Sequence, residues 1–183
     1  MTRRRVTWLA TLMVLAFLAA TGTACAAEKW GPFRGRVVDK ETGRAIAGAV
    51  VLVYWEEEVG SFHSQMRFYD AREELTGPDG TFEIPRHQPS RFFTFRIGEP
   101  QFLIFAPGYV LDRWVVTLPK SELFIAPTVV EMRHLKTPEE RKVVFLRAGG
   151  PTHIPAEKRC MLTRVMNQEA RNLGFGSLPE CGQ

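Results

Sequence analysis

The stretch GRVVDKETGRAIAGAVVLVYW, from Gly35 to Trp55, decides the fold. Its first part alternates apolar and polar residues, which is typical of a half-buried strand. DKETG then supplies the Asp and Gly that a tight turn requires. In the second part, one strand face carries Val51, Val53 and Trp55, and the other carries Val50, Leu52 and Tyr54. A strand that is apolar on both faces must be covered on both sides.

Further strand and turn signals follow this stretch. Gly77-Pro78-Asp79-Gly80 is a strong turn signal, and TFEIP after it predicts a strand with Phe82 and Ile84 facing inward. The expected strands cover residues 33–38, 49–55, 81–85, 92–97, 101–106, 110–118 and 128–132, and the acidic residues 56–58 are expected to end the second strand. Residues 62–75 alternate loosely, which indicates a long insertion or an irregular edge strand. About seven short strands separated by turns predict a mainly β sandwich.

The pattern changes after residue 134. Thr137-Pro138-Glu139-Glu140 combines a T-x-x-E capping box with Pro at the first helical position, so we expect a helix from there to about residue 148. A second helix should run from near Pro155 to Gly174, with an apolar stripe formed by Leu162, Val165, Met166 and Leu173. This stripe needs a partner surface, and the second apolar face of residues 49–55 is the candidate. We therefore expect a β-sandwich at 31–134 and a helical extension at 135–183 that packs on it.

The N-terminus has the features of a bacterial signal peptide, expected at residues 1–26. Arg3 to Arg5 precede an apolar run at 9–20, which is too short to span a bilayer comfortably. In one processing route, Ala24-Cys25-Ala26 is an A-x-A site and is cut at its end. In the other, Cys25 is the lipidated first residue of a lipoprotein, although Gly22 stands where Leu, Val or Ile is usual. Both routes export the protein from the cytoplasm, as a periplasmic or extracellular protein or as a membrane-anchored lipoprotein; an uncleaved anchor is a third alternative.

Composition and charge exclude some partners. The 183 residues are 45% hydrophobic, which is ordinary for a globular protein. The formal charge of +4 is misleading, because removal of Arg3, Arg4 and Arg5 from the 24 basic residues leaves 21 against 20 acidic ones. No basic tract with interleaved aromatic residues is present to follow a phosphate backbone. We therefore expect no nucleic-acid partner, and membrane attachment only through a lipid on Cys25.

The cysteines favour an exported protein. Cys25 is removed or acylated in either processing route, which leaves Cys160 and Cys181 as an even pair in an oxidising compartment. A bridge between them would close a loop of about 20 residues and contribute roughly 3 kcal/mol. Two free thiols are the alternative.

Three separated segments resemble one family. They are GRVVDKETGRAIAGAVVLV, then TGPDGTFEIP, then FAPGY, and they fit the pattern G-x-V-x-D-x-x-T-G-x-x-I-x-G-A-x-V, T-x-x-D-G-x-F-x-I and a Pro-Gly-Tyr corner. The matching residues are Gly35, Val37, Asp39, Thr42, Gly43, Ile46, Gly48, Ala49, Val51, Thr76, Asp79, Gly80, Phe82, Ile84, Pro107, Gly108 and Tyr109. Over residues 31–131 the chain is similar to the carboxypeptidase regulatory-like domain of secreted bacterial proteins and lipoproteins.

This resemblance implies a transthyretin-like fold, which is a seven-stranded Greek-key β-sandwich. Members of the family serve as accessory, folding or adhesion modules, and the shared residues occupy turn and core positions. Two features depart from the family pattern: about 20 residues separate Trp55 from Thr76, and two helices follow the sandwich. The resemblance implies no peptidase activity, because the chain contains no peptidase domain.

Side chains that could carry chemistry are scattered along the chain. The histidines lack metal-ligand spacing, which favours surface or loop positions for all four: His63, His87, His134 and His153. The carboxylates at 56–58 with Asp70, Glu73 and Glu74 could bind Ca²⁺ across a hairpin, although a solvated acidic run that protects a sheet edge is the simpler interpretation. No serine lies in a G-x-S-x-G setting. We therefore predict no catalytic residue, no metal site and no cofactor.

Three functional hypotheses follow. The first is a non-catalytic cell-envelope module that binds another envelope protein or supports assembly. The second is a carbohydrate-binding module, which requires an exposed aromatic platform for a glycan, built from Trp55, Tyr69 or Trp114. The third is a small transthyretin-related hydrolase, which requires a polar cleft with clustered His and Arg.

Overall fold

The computed structural model describes residues 30–60, 65–87, 96–110, 128–148, 152–179 and 181. These residues form seven strands, two α-helices and one 3-10 helix. The strands are β1 (Phe33–Asp39), β2 (Val50–Val59), β3 (Gln65–Leu75), β4 (Thr81–Ile84), β5 (Gln101–Phe105), β6 (Tyr109–Val110) and β7 (Thr128–His134). The helices are α1 (Pro138–Ala148), the 3-10 helix (Ala156–Lys158) and α2 (Cys160–Leu173).

The strands form two sheets. The four-stranded sheet has the order β4-β1-β7-β6, and the three-stranded sheet has the order β3-β2-β5. β1 lies between antiparallel β4 and parallel β7, with Gly35 opposite Thr128. β2 lies between antiparallel β3 and antiparallel β5. The chain is therefore mainly β and sandwich-like, with two helices at its C-terminal end.

Every side chain of β2 from Val50 to Trp55 is buried. One face contributes to the first core, which lies between the sheets and includes Val51, Val53, Trp55, Phe33, Val37, Phe82, Ile84, Phe102 and Met132. The other face contributes to the second core, which includes Val50, Leu52, Tyr54, Ile154, Leu162, Val165 and Met166. The helical segment thus covers the second face of β2, where its apolar stripe predicts it.

The turn residues have specific structural roles. Asp39 Oδ1 accepts hydrogen bonds from the amides of Glu41 and Thr42 at 2.9 and 2.8 Å. The Thr42 amide is the main reason why the pKa of Asp39 lies below its ordinary value, although burial opposes the shift. Gly80 has a φ of +76°, and a Cβ at this position would lie 2.5 Å from the Val37 carbonyl oxygen. Only glycine fits there.

The acidic run at 56–58 does not end β2, so that prediction is wrong. β2 continues to Val59 and pairs with β3 beyond a bulge between Trp55 and Glu56. Arg67 Nε of β3 lies 3.1 Å from Glu57 Oε1. Opposite charges on paired strands stabilise a sheet, and this pairing makes an acidic segment compatible with a strand.

The loosely alternating segment forms an edge strand. β3 lies at one edge of the three-stranded sheet and contains the extra residue of the bulge, because Asp70 and Phe68 pair with the consecutive residues Trp55 and Glu56 of β2. The edge-strand interpretation is therefore confirmed for residues 65–75, which pair with residues 50–59 to form an extended hairpin arm. In β4, Phe82 and Ile84 are buried as predicted. The strands expected at 92–97 and 110–118 fall mostly outside the described residues.

Local contacts fix the first and last turns of the helical segment. At the start of α1, Thr137 Oγ1 accepts the Glu140 amide at 3.1 Å and Glu140 Oε2 accepts the Thr137 amide at 3.4 Å, which confirms the capping box. α2 ends at Gly174, which has a φ of +78°. A disulfide joins Cys160 to Cys181, with the Cα atoms 5.5 Å apart. No helix in the described part of the chain is long and apolar enough to cross a membrane.

Candidate functional site

Four ionisable side chains meet beside edge strand β3. We call them the edge cluster, and they are Asp70, Arg72, His87 and Lys158. Asp70 and Arg72 belong to β3, His87 follows β4, and Lys158 ends the 3-10 helix. The edge cluster therefore joins the sheet edge, a loop and the helical segment.

His87 lies at the centre of the edge cluster. Its Nε2 is 3.2 Å from Asp70 Oδ2, and its Nδ1 is 3.2 Å from Arg72 Nη2. Because a guanidinium can only donate, Nδ1 accepts this hydrogen bond. The ring proton consequently lies on Nε2 and is donated to the carboxylate, so this geometry requires a neutral imidazole.

The charges around His87 are consistent with that protonation state. Burial by itself would raise the pKa of Asp70, but Lys158 Nζ at 2.7 Å, the Ala71 amide at 2.9 Å and Arg72 together hold it below its ordinary value. The pKa of His87 is lowered mainly by burial and then by Arg72, although Asp70 opposes the shift. Near neutral pH the edge cluster thus contains one carboxylate, two cations and a neutral ring.

Aromatic rings cover His87. Its ring centroid lies 5.3 Å from that of Trp55 and 5.6 Å from that of Trp30, and its amide donates to the Trp30 carbonyl at 2.7 Å. The His87 side chain is only 8% exposed. His87 therefore lies in a loop, which agrees with the predicted surface or loop position, but it is buried because Trp30 packs over it.

These contacts limit the ability of the edge cluster to act in acid–base catalysis. A general base needs a nitrogen within reach of a substrate proton, and both nitrogens of His87 are occupied. The Asp70 side chain is 15% exposed. The edge cluster contains the neighbouring His and Arg that the hydrolase hypothesis requires, but both nitrogens of His87 already have partners in Arg72 and Asp70.

Glu73 forms a second connection between β3 and the helical segment. Its two carboxylate oxygens accept the amides of Met161 and Leu162 at 2.8 and 2.9 Å. These amides lie in the first turn of α2, where the helix dipole favours a negative charge. Burial raises the pKa of Glu73 in spite of these hydrogen bonds. Glu73 therefore caps a helix whose second residue, Met161, lies 88 residues after it.

Glu169 forms a third connection, between the two α-helices. Arg141 Nε of α1 donates to Glu169 Oε1 at 2.9 Å, and the Gly108 amide donates to the same oxygen at 3.3 Å. The Glu169 side chain is only 3% exposed. Sequence reasoning missed the roles of Glu73, Arg141 and Glu169, because no local spacing identifies partners so far apart in the chain.

The carboxylates considered for Ca²⁺ have separate partners. Glu57 pairs with Arg67, Asp70 pairs with Lys158, and Glu73 caps α2. In the part of the chain that the structure describes, no group of three or more His, Cys, Asp or Glu side chains could hold a metal ion. The arrangement gives no support to the Ca²⁺ alternative.

An aromatic platform for a glycan cannot include Trp55. That ring is fully buried, and Tyr69 packs against the first core. Trp114 lies outside the described residues. A shallow groove of about 570 Å³ lies beside β4, lined among others by Arg34, Leu75 and Glu83. Its Arg34–Glu83 ion pair measures 2.7 Å, and its lining residues offer no exposed ring.

The remaining candidates lie elsewhere. His134 lies beside Tyr109 and His153 lies beside Tyr54, with ring centroids 5.1 and 5.3 Å apart. His63 and Cys25, with the whole expected signal peptide, lie outside the described residues.

No family model matches this chain, and no curated protein or solved structure is significantly similar to it.

Proposed function

We propose that the protein is a non-catalytic β-sandwich module of the bacterial cell envelope, which binds another envelope protein or supports its assembly. In this proposal the sandwich is a Greek-key domain of the transthyretin-like, carboxypeptidase regulatory-like type. This assignment of the fold type is supported by the order of the three sequence motifs and by the positions of their residues in turns. Asp39 closes the first turn, and Gly80 and Gly108 have positive φ angles.

The edge cluster is the observation that carries the non-catalytic part of the proposal. His87 is covered by two indole rings and uses both nitrogens in hydrogen bonds to β3. Asp70 and His87 are largely buried, and a buried polar pair whose members are hydrogen-bonded makes a fold rigid and specific. A rigid scaffold that presents exposed surfaces suits a binding module better than an enzyme.

The location in the envelope is supported by the expected signal peptide and by the disulfide. Disulfides persist in oxidising compartments such as the periplasm, and the bond between Cys160 and Cys181 ties the C-terminal tail to the start of α2. Cleavage after residue 26 would release the module. Acylation of Cys25 would instead hold Trp30 within about 17 Å of the lipid, given the reach of five extended residues.

The arm formed by β2 and β3 is the surface that we propose for the protein partner. Residues 56–59 pair with 65–68 beyond the end of β5, and residues 56–58 are also hydrogen-bonded to the segment 96–98 on their other side. Near the tip, the side chain of Met66 is 56% exposed and that of Val59 is 38% exposed. Exposed apolar side chains at the far end of this hairpin suit contact with another protein.

Site-specific photo-cross-linking in intact cells tests this surface. A photoreactive residue in place of Met66 should give an adduct of discrete mass with an envelope protein. The matched control is the same residue in place of Glu83, which is exposed on β4. Absence of an adduct at Met66, or equal adducts at both positions, would contradict binding through the arm.

The intact mass of the protein from membrane and soluble fractions tests the location. Loss of residues 1–26 alone identifies a secreted module, and a diacylglyceryl group on Cys25 identifies a lipoprotein. A chain that keeps its N-terminus and remains in the cytoplasm would contradict the envelope proposal.

A further inference from the structure

One side of helix α1 is fixed to the rest of the protein. Arg141 forms an ion pair with buried Glu169, and the ring of Phe145 stacks on that of Phe175 with centroids 5.6 Å apart. These contacts determine which side of α1 faces solvent.

The solvent side of α1 carries four side chains that we call the crest: Lys142, Val143, Leu146 and Arg147. Val143 is 48% exposed, and Leu146, at 66%, is the most exposed large hydrophobic side chain among the described residues. With about 100° of rotation per residue, the order across the face is Lys142, Leu146, Val143, Arg147. Within the described part of the chain, neither cation forms an ion pair. The crest is therefore apolar in its centre and positively charged on both flanks.

We propose that the crest is a peripheral contact site for an anionic lipid surface. A helix that lies on a membrane places its apolar side chains between the headgroups, while flanking Lys and Arg side chains reach the lipid phosphates. The crest has this order of side chains. An apolar groove would favour a peptide, whereas two cations around an apolar centre complement an anionic headgroup layer.

Glu139 sets the direction of the contact. It lies on the same side of α1 but in the first turn, and its negative charge is repelled by an anionic surface. The C-terminal half of the helix, where the crest lies, is consequently the half that approaches the lipid. Removal of this carboxylate should strengthen binding, opposite to the effect of removing a crest cation.

Vesicle sedimentation tests the proposal without reference to the function of the arm. The protein carries Cys25→Ser, so that no acyl group contributes, and is purified after export and processing. Binding is measured to phosphatidylcholine vesicles with and without phosphatidylglycerol at low ionic strength, since salt screens such contacts. The wild-type crest should bind only the vesicles that contain phosphatidylglycerol.

The expected changes are set by the charge of each residue. A basic residue near an anionic leaflet strengthens binding about 5-fold, so Lys142→Gln with Arg147→Gln should weaken it roughly 25-fold. Glu139→Gln should strengthen binding a few-fold. At physiological salt, where the charges are screened, Val143→Ser with Leu146→Ser should abolish the residual vesicle binding of the protein. The matched control is Arg86→Gln with Arg96→Gln, which removes two exposed cations from the strand region and should change binding less than 2-fold.

Three results would overturn the proposal. One is binding that does not depend on phosphatidylglycerol, and another is an equal loss in the control pair. The third is a crest that binds an acidic polypeptide such as polyglutamate but not the vesicles. Each variant must keep the thermal midpoint of the wild type, measured by circular dichroism. Glu139→Gln should gain affinity, and unfolding cannot explain a gain.

Discussion

The two faces of β2 are covered in different ways. The first core is closed by a second sheet, whose strands are aligned by backbone hydrogen bonds. The second core is closed by α2, which forms no backbone ladder with β2. Two connections join this cover to β3, the Asp70–Lys158 pair and the Glu73 cap, while the Arg141–Glu169 pair and the Cys160–Cys181 bond join parts of the helical segment to one another.

This difference separates two kinds of stability. The first core depends on the burial of apolar side chains, so it should respond mainly to their truncation. The second core also depends on charged contacts and one covalent bond, which respond to pH and reducing agent. The helical segment is therefore the part of the described structure whose stability can be changed selectively.

The largest expected effect comes from truncation of the two cores. Trp55→Ala should lower the free energy of unfolding by about 3–5 kcal/mol and Leu162→Ala by about 2–5 kcal/mol, because both side chains are fully buried. In hydrogen exchange, Trp55→Ala should weaken protection in all strands, and Leu162→Ala chiefly in α2. Equal loss of protection in β1 and α2 of Leu162→Ala would show that the two cores unfold as one unit.

Reduction of the disulfide should have the next largest effect. A bond that links residues 21 positions apart contributes about 3 kcal/mol. Dithiothreitol should therefore accelerate amide exchange at the start of α2 and in the tail, with little change in β1 and β4. Cys160→Ser with Cys181→Ser is the control, since its exchange should not respond to reductant. An equal response in β4 would remove the distinction between the two cores.

Removal of the Glu169 charge should cost less. Glu169→Gln loses the charge-assisted bonds from Arg141 and weakens the bond from the Gly108 amide, a loss of about 2 kcal/mol in urea unfolding. The matched control is Glu157→Gln, an exposed position that should change stability by less than about 0.5 kcal/mol. Similar midpoints for both variants would contradict a structural role for the buried pair.

The pH dependence around His87 should be the smallest effect. Burial and Arg72 keep its folded pKa below the ordinary value of 6.5, with Lys158 acting in the same direction and Asp70 opposing. The neutral ring of His87 therefore makes its full contribution to folding stability above pH 6.5. This contribution is lost as the pH falls through the folded pKa of His87. The urea midpoint of the wild type should fall more than that of His87→Gln between about pH 7 and pH 5. His134→Gln, an exposed control, should follow the wild type.

Local patterns predicted much of this architecture. The alternation in residues 49–55 indicated two buried faces, because side-chain direction in a strand has a period of two. The T-P-E-E sequence at 137–140 predicted the start of α1, since its hydrogen bonds are local. Both signals lie within a few residues and need no knowledge of the rest of the chain.

The candidate site depends on distant contacts and was not predicted. Nothing near His87 in the sequence indicates that Trp30 will cover it, or that Lys158 will reach Asp70, 88 residues earlier. The strand through 56–58 was missed for the same reason, because the register that sets Arg67 opposite Glu57 is a property of the folded sheet. Partner choice of this kind requires the three-dimensional arrangement.

The parallel pairing of β1 with β7 has a consequence for the timing of folding. β1 is made early, but the strand beside it begins about 90 residues later. A nascent chain that ends before Thr128 leaves one edge of β1 without its partner, whereas the β2–β3 arm can already form. The four-stranded sheet is therefore assembled only after synthesis of the strand region is complete, and closure of such a long loop makes it slow to form.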